Sequence, residues 1–153
     1  MSEPERHLSA EDAAFLRRTA ASAARELQHT SSLPKVAGLL SMSERDVLGM
    51  TEAGDLYSYT TAGGEPRFPS WQFAYGRLLP HLREVVAAIP AGAHPTGVRT
   101  LMTTPSPDLM VEVLDRPVSQ LIPEIRVSPA NWLSGGASLE PVLALLAAFA
   151  GAI

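Results

Sequence analysis

The sequence predicts a mainly α-helical fold with one small β-hairpin. Several stretches repeat apolar residues at helical spacing, and alternating aromatic and polar residues flank the glycine pair at 63–64. Hydrophobic residues make up 46% of the chain and charged residues 18%, which is typical of a folded protein. At 153 residues, the chain is long enough for one compact domain, or for two very small ones that share a core.

Residue types and spacings predict a protein without catalytic activity. The absence of cysteine excludes disulfides, thiolate metal ligands and cysteine nucleophiles. The four histidines lack the spacing of a metal site, and the chain has neither a Gly-x-Ser-x-Gly motif nor a phosphate-binding loop. We therefore expect no catalytic residue, no metal and no cofactor.

Charge and hydropathy predict a cytoplasmic protein with no membrane partner. No apolar run reaches the roughly 18 residues of a membrane span, and the acidic N-terminus does not resemble a signal peptide. The net charge is −4, and no half, tail or stripe of the chain is basic. Extensive phosphate contacts normally require such a basic surface.

Residues 1–30 are predicted as an N-terminal helical segment. Ser9 can cap the helix, Glu11 and Asp12 complement its dipole, and the helix is expected to end near His29. The apolar positions on one face are Leu16, Ala20, Ala23, Ala24 and Leu27. The polar residues 30–32 that follow are predicted as a short connector.

Residues 31–69 predict a winged helix-turn-helix segment. Pro34 opens a helix through Leu40, residues 41–43 form the turn, and a second helix runs over 44–53. "LYSYTT", a turn at 62–64 and "PRF" then predict a β-hairpin, which would be the wing.

Three basic residues of this segment are candidate DNA contacts. In a helix-turn-helix, the second helix enters the major groove, where Arg45 is its one suitable base-reading side chain. Lys35 on the first helix and Arg67 on the wing are placed to contact phosphates. The alternative is a fold element kept only as a scaffold.

Residues 70–153 predict a helical part. The stretches "LPHLREVVAAIP", "PTGVRTLMTTP" and "SPANWLSGG" each predict a helix or a helical turn, and a final helix covers 139–150. Three prolines and the alternating "MVEVL" predict that residues 106–127 are mostly irregular, with a short strand or a turn of helix.

The stretch "RFPSWQF" joins these two parts. Phe68, Trp71 and Phe73 lie close together in a chain with few aromatics, which favours a buried core joint.

The final helix is apolar on more than one face, which favours an interface with a second chain. Its candidate interface residues are Leu139, Val142, Leu143, Leu146 and Phe149. The alternative is that the proline-rich stretch before the helix covers it.

Two segments resemble known protein families. "GLLSMSERDVLGMTEAGDLYSYTTAGGEPRFP" resembles the excisionase-like, MerR-type winged helix. From "RFPSWQF" onward, "GRLLPHLREVVAAI", "RTLMTTPSPDL", "SPANWLSGG" and "EPVLALLAA" resemble the toxin-binding domain of Xre/MbcA/ParS antitoxins. The resemblance covers about residues 33–150. It implies a dimeric antitoxin whose partner is a RES-domain toxin, an enzyme that degrades NAD.

Two hypotheses for function follow from the sequence. The first is an antitoxin that binds and neutralises a cognate toxin, with possible autoregulatory binding to operator DNA. The alternative is a winged-helix transcriptional regulator that binds its operator as a homodimer. In this family the two roles can coexist as autorepression.

Overall fold

The structure of the chain, a computed structural model, describes residues 9–112 and 124–153. Those ranges contain seven α-helices: α1 Ala10–Gln28, α2 Leu33–Leu40, α3 Glu44–Glu52, α4 Leu82–Ala88, α5 Pro95–Thr103, α6 Pro129–Ser134 and α7 Glu140–Ala152. They also contain short strands: β1 Thr30–Ser32, β2 Tyr59–Thr60, β3 Pro66–Pro69, β4 Phe73–Ala74, β5 Arg77–Leu78, β6 Ser106–Glu112 and β7 Glu124–Val127. The fold therefore combines helices with small antiparallel sheets.

Helix α1 begins as the sequence predicts, with the Ser9 hydroxyl accepting a hydrogen bond from the Asp12 N–H. Most of its surface faces outward, and Phe15 and Leu16 are 61% and 51% exposed. Glu26 is the one buried residue of the helix. Attachment of α1 to the rest of the chain is concentrated near its C-terminal end.

The polar residues after α1 form a strand, and not the connector predicted from their composition. Strand β1 pairs antiparallel with β3, with Ser31 opposite Phe68, and β3 also pairs with β2. The result is a three-stranded sheet of order β1-β3-β2. Three polar residues carry little strand signal of their own, so the partner strand determines their structure.

Two further antiparallel pairs of strands follow. Strands β4 and β5 pair across a two-residue turn, a hairpin that the sequence analysis did not predict. Strands β6 and β7 pair antiparallel. The short strand expected within 106–127 is therefore present, but the prediction that the stretch is mostly irregular is wrong for the parts that the structure describes. Residues 113–123, which belong to the same predicted stretch, lie outside the described residues.

One hydrophobic cluster runs through both the segment before residue 70 and the helices after it. Its buried members are Val36, Ala37, Val47, Leu56, Phe68, Trp71, Leu79, Leu82, Val85, Val98, Met102, Leu109, Leu133, Val142 and Leu146. Residues 31–69 and 70–153 thus contribute side chains to the same core. Val36 of α2 and Val47 of α3 therefore belong to the same buried cluster as residues of the later helices.

Candidate nucleic-acid interface

A serine caps the N-terminus of each of the helices α2 and α3. The Ser32 hydroxyl accepts from the Lys35 N–H at 3.4 Å, and the Ser43 hydroxyl accepts from the Asp46 N–H at 3.1 Å. Between the helices, Ser41 ends α2 in the left-handed conformation with φ of 54°. The chain therefore reverses over three residues, and the second helix has a defined start.

Helix α3 has one side against the core and the other in solvent. Val47 is fully buried, whereas Arg45, Gly49 and Glu52 are exposed. At 100° per residue these three positions lie roughly opposite Val47. The outward side of α3 is therefore accessible to a partner.

The charges on α3 are mixed. The helix carries three carboxylates and one guanidinium. Glu44 and Asp46 occupy its first turn, where negative charge complements the helix dipole. The outward side of α3 therefore presents one positive side chain, Arg45 near the start of the helix, and one negative side chain, Glu52 at its end.

Of the three basic residues predicted to contact DNA, Lys35 and Arg45 are exposed, whereas Arg67 is held within the chain. The Arg67 Nε donates to Thr30 Oγ1 at 2.9 Å, and an Nη donates to the Thr30 carbonyl at 3.3 Å. Only 18% of its side chain is exposed. The expected phosphate contact by Arg67 is therefore corrected, because this guanidinium is hydrogen-bonded to Thr30 of β1.

The aromatic joint, which consists of Phe68, Trp71 and Phe73, packs against the core. Phe68 is 0% exposed and Trp71 6%, while Phe73 is half-buried. Trp71 also packs against Tyr57, with ring centroids 5.9 Å apart. Burial is the main cause that raises the pKa of the Tyr57 hydroxyl.

The predicted interface on the closing helix needs correction. Val142 and Leu146 are 0% exposed because they pack into the core of their own chain. Leu139, Leu143 and Phe149 are half-buried against the same core, and Phe149 contacts Gly97 on α5. The apolar faces of α7 are thus largely covered within the monomer, mainly by α4.

The β4–β5 hairpin is a surface feature that sequence reasoning missed. Tyr75 and Gly76 form its turn, both with positive φ, and Tyr75 is 96% exposed. The only local indication of this turn in the sequence is the pair Tyr75-Gly76. Such a pair predicts a hairpin weakly when the residue before glycine is not Asn or Asp.

Within residues 9–112 and 124–153, no group of three or more His, Asp or Glu side chains is arranged to hold a metal ion. None of the helices in the same described ranges has both the length and the apolar character needed to cross a membrane.

These features define a helical protein with small antiparallel sheets that exposes the second helix of a helix-turn-helix pair. No family model matches the chain, and no curated protein matches it. Among solved structures, the chain is similar to one described as "NMR structure of Rv2175c", with 25% sequence identity and a TM-score of 0.52. The match covers 79% of this chain and 80% of that chain.

Proposed function

We propose that the protein is a winged-helix DNA-binding regulator in which α3 enters the major groove and the protein acts as a homodimer. The observation that carries the proposal is the exposed outer side of α3, with Arg45 in the first turn of the helix. The elements on either side agree with this role, because α2 precedes α3 across a short turn and the β2–β3 hairpin follows.

Self-association is supported by α1 rather than by α7. Phe15 and Leu16 on α1 are more than half exposed, whereas the large apolar residues of α7 are buried or half-buried. Exposed large apolar side chains on one helix favour contact with a second chain.

The charges predict modest affinity with a shallow salt dependence. Each phosphate contact contributes a slope of about −0.9 in log K against log salt. With few exposed cations beside α3, a dimer is expected to have a slope of only a few units, well below that of strongly basic DNA-binding proteins.

The test is a salt titration of binding to the DNA upstream of the protein's own gene, compared with a scrambled duplex of equal length. We expect Arg45→Ala to remove the preference for the upstream sequence, because one good base contact is worth about 1–3 kcal/mol of discrimination. Lys35→Ala should weaken binding to both duplexes alike. Arg126→Ala, on the exposed surface of β7, is the matched control and should change neither property.

If the wild-type protein shows no salt-sensitive, sequence-selective binding, the proposal is wrong. Retained selectivity in Arg45→Ala would show that α3 does not read the bases. Analytical ultracentrifugation of the protein with and without the duplex gives the stoichiometry and tests the homodimer.

A second candidate is binding of a cognate toxin, and it is favoured by a cavity of about 230 Å³. Its lining includes Trp71, Phe73, Thr103, Ser128 and Asn131. These residues belong to three of the sequence blocks that resemble the antitoxin domain, and they combine apolar and hydrogen-bonding groups. The experiment is co-expression with the protein encoded by the adjacent gene, followed by co-purification and an NAD-degradation assay. Failure to bind or silence that protein would exclude this candidate.

A further inference from the structure

The first helix of the pair and the β4–β5 hairpin form one continuous surface patch, which we call the hairpin patch: Lys35, Leu39, Tyr75, Gly76 and Arg77. A Cβ built on Gly76 would lie 4.0 Å from a methyl carbon of Leu39, so the hairpin turn lies directly beside α2. Lys35 is one helical turn before Leu39 and shares its side of the helix. All members of the patch are exposed.

The hairpin turn presents its tyrosine at a conformational cost. Tyr75 has φ of 53° and Gly76 has φ of 73°, the left-handed pair of a tight hairpin turn. Asn or Gly is the favourable residue at the first position, and a bulky residue there is strained. With 96% of its surface exposed, Tyr75 gains almost nothing from packing in the free protein.

Charge indicates the partner of this patch. Neither α2 nor the β4–β5 hairpin contains an acidic residue. In the described part of the chain, neither Lys35 nor Arg77 takes part in an ion pair. Two cations and a tyrosine hydroxyl are groups that bind phosphate oxygens on a DNA backbone.

We propose that the hairpin patch is a second DNA-backbone contact, in which the β4–β5 hairpin acts as an additional wing beside α2. In helix-turn-helix proteins the first helix crosses the backbone, and the hairpin extends that side of α2. This inference rests on the proposed DNA-binding function and adds Tyr75 and Arg77 to its phosphate contacts.

The test uses three variants of the full-length chain with the upstream duplex and the scrambled duplex. Arg77→Ala should weaken binding to both by about five- to tenfold at 0.1 M salt and lower the salt slope by about 0.9. Tyr75→Phe should weaken binding to both by about tenfold without a change in Tm, because it removes only the hydroxyl. Tyr75→Asn should raise Tm by about 2–4 °C through relief of the backbone strain. Arg126→Ala is again the control.

The outcomes separate this inference from the proposed function. Absence of DNA binding by the wild-type protein overturns both. Wild-type binding that Arg77→Ala and Tyr75→Phe leave unchanged overturns the hairpin patch alone. A lower Tm in Tyr75→Asn would show that Tyr75 stabilises the free protein, which contradicts the backbone strain on which the inference depends. Loss of capture of the adjacently encoded protein, with DNA binding intact, would identify the patch as a protein-binding surface and also overturn the inference.

Discussion

Among the polar residues that the structure describes as buried, Gln72 in the aromatic joint is the least exposed. It is 0% exposed. Its side-chain amide forms hydrogen bonds with main-chain atoms of two segments. The side-chain oxygen accepts from the Tyr57 N–H at 2.9 Å, while the side-chain nitrogen donates to the carbonyls of Tyr57 and Pro69 at 2.7 and 3.1 Å. Gln72 thus joins the segment after α3 to the joint between the two parts of the chain.

Gln72→Leu should lower the free energy of unfolding by about 2–4 kcal/mol, because it leaves main-chain groups of Tyr57 and Pro69 buried without partners. Urea denaturation measures the change. Gln28→Leu is the matched control, since Gln28 is exposed on α1 and should shift stability by no more than about 0.5 kcal/mol. Equal stability of the two variants would contradict the structural role of the Gln72 amide.

At the scale of elements, α1 is attached to α5 through a largely buried ion pair. The Arg99 Nε lies 3.0 Å from each Glu26 carboxylate oxygen, and the Thr96 hydroxyl donates to the same carboxylate at 3.1 Å. The Glu26 side chain is 9% exposed. Because α1 has no other buried residue, this cluster is expected to control its docking.

Arg99→Met should destabilise the protein by about 2–4 kcal/mol, because it leaves the Glu26 carboxylate without its cation. Amide hydrogen exchange should accelerate in α1 more than in α2 or α3. Arg83→Met is the control, since the Arg83–Asp55 pair at 3.3 Å has an Arg side chain 72% exposed and is worth at most about 1 kcal/mol. Uniform acceleration across all helices would show that Glu26 and Arg99 do not act specifically on α1.

At the scale of the whole molecule, α7 closes the core. Val142 and Leu146 lie in the same buried cluster as residues of α2 and α3, more than ninety positions earlier in the chain. The stability of the exposed helix pair is therefore expected to depend on the last helix.

Leu146→Ala should lower the free energy of unfolding by about 2–5 kcal/mol, the usual cost of removing a buried leucine side chain, with no change in oligomeric mass. Chemical denaturation and analytical ultracentrifugation measure the two properties. Leu48→Ala is the control, because Leu48 is 41% exposed and its truncation leaves no core cavity. A change of oligomeric mass in Leu146→Ala at full stability would restore α7 as an intermolecular interface.

Local patterns in the sequence were sufficient to predict most helices and the β2–β3 hairpin. The cap at Ser9, the proline in the first turn of α2, and the glycine pair at 63–64 act over three or four residues. Such signals depend on hydrogen bonds within one turn, so they can be read without knowledge of the rest of the chain. The order of helix, turn and helix over residues 33–52 belongs to this group.

Tertiary structure alone decided which surfaces remain open. Arg67 is removed from the candidate interface by hydrogen bonds to Thr30, 37 positions earlier, and the same pairing makes residues 30–32 a strand. Spacing shows that α7 is apolar but not whether another helix of the same chain covers it. Burial is a property of packing between distant segments, whereas caps and turns are properties of neighbouring residues. This difference is why apolar spacing predicted an interface on α7 although Val142 and Leu146 are buried within their own chain.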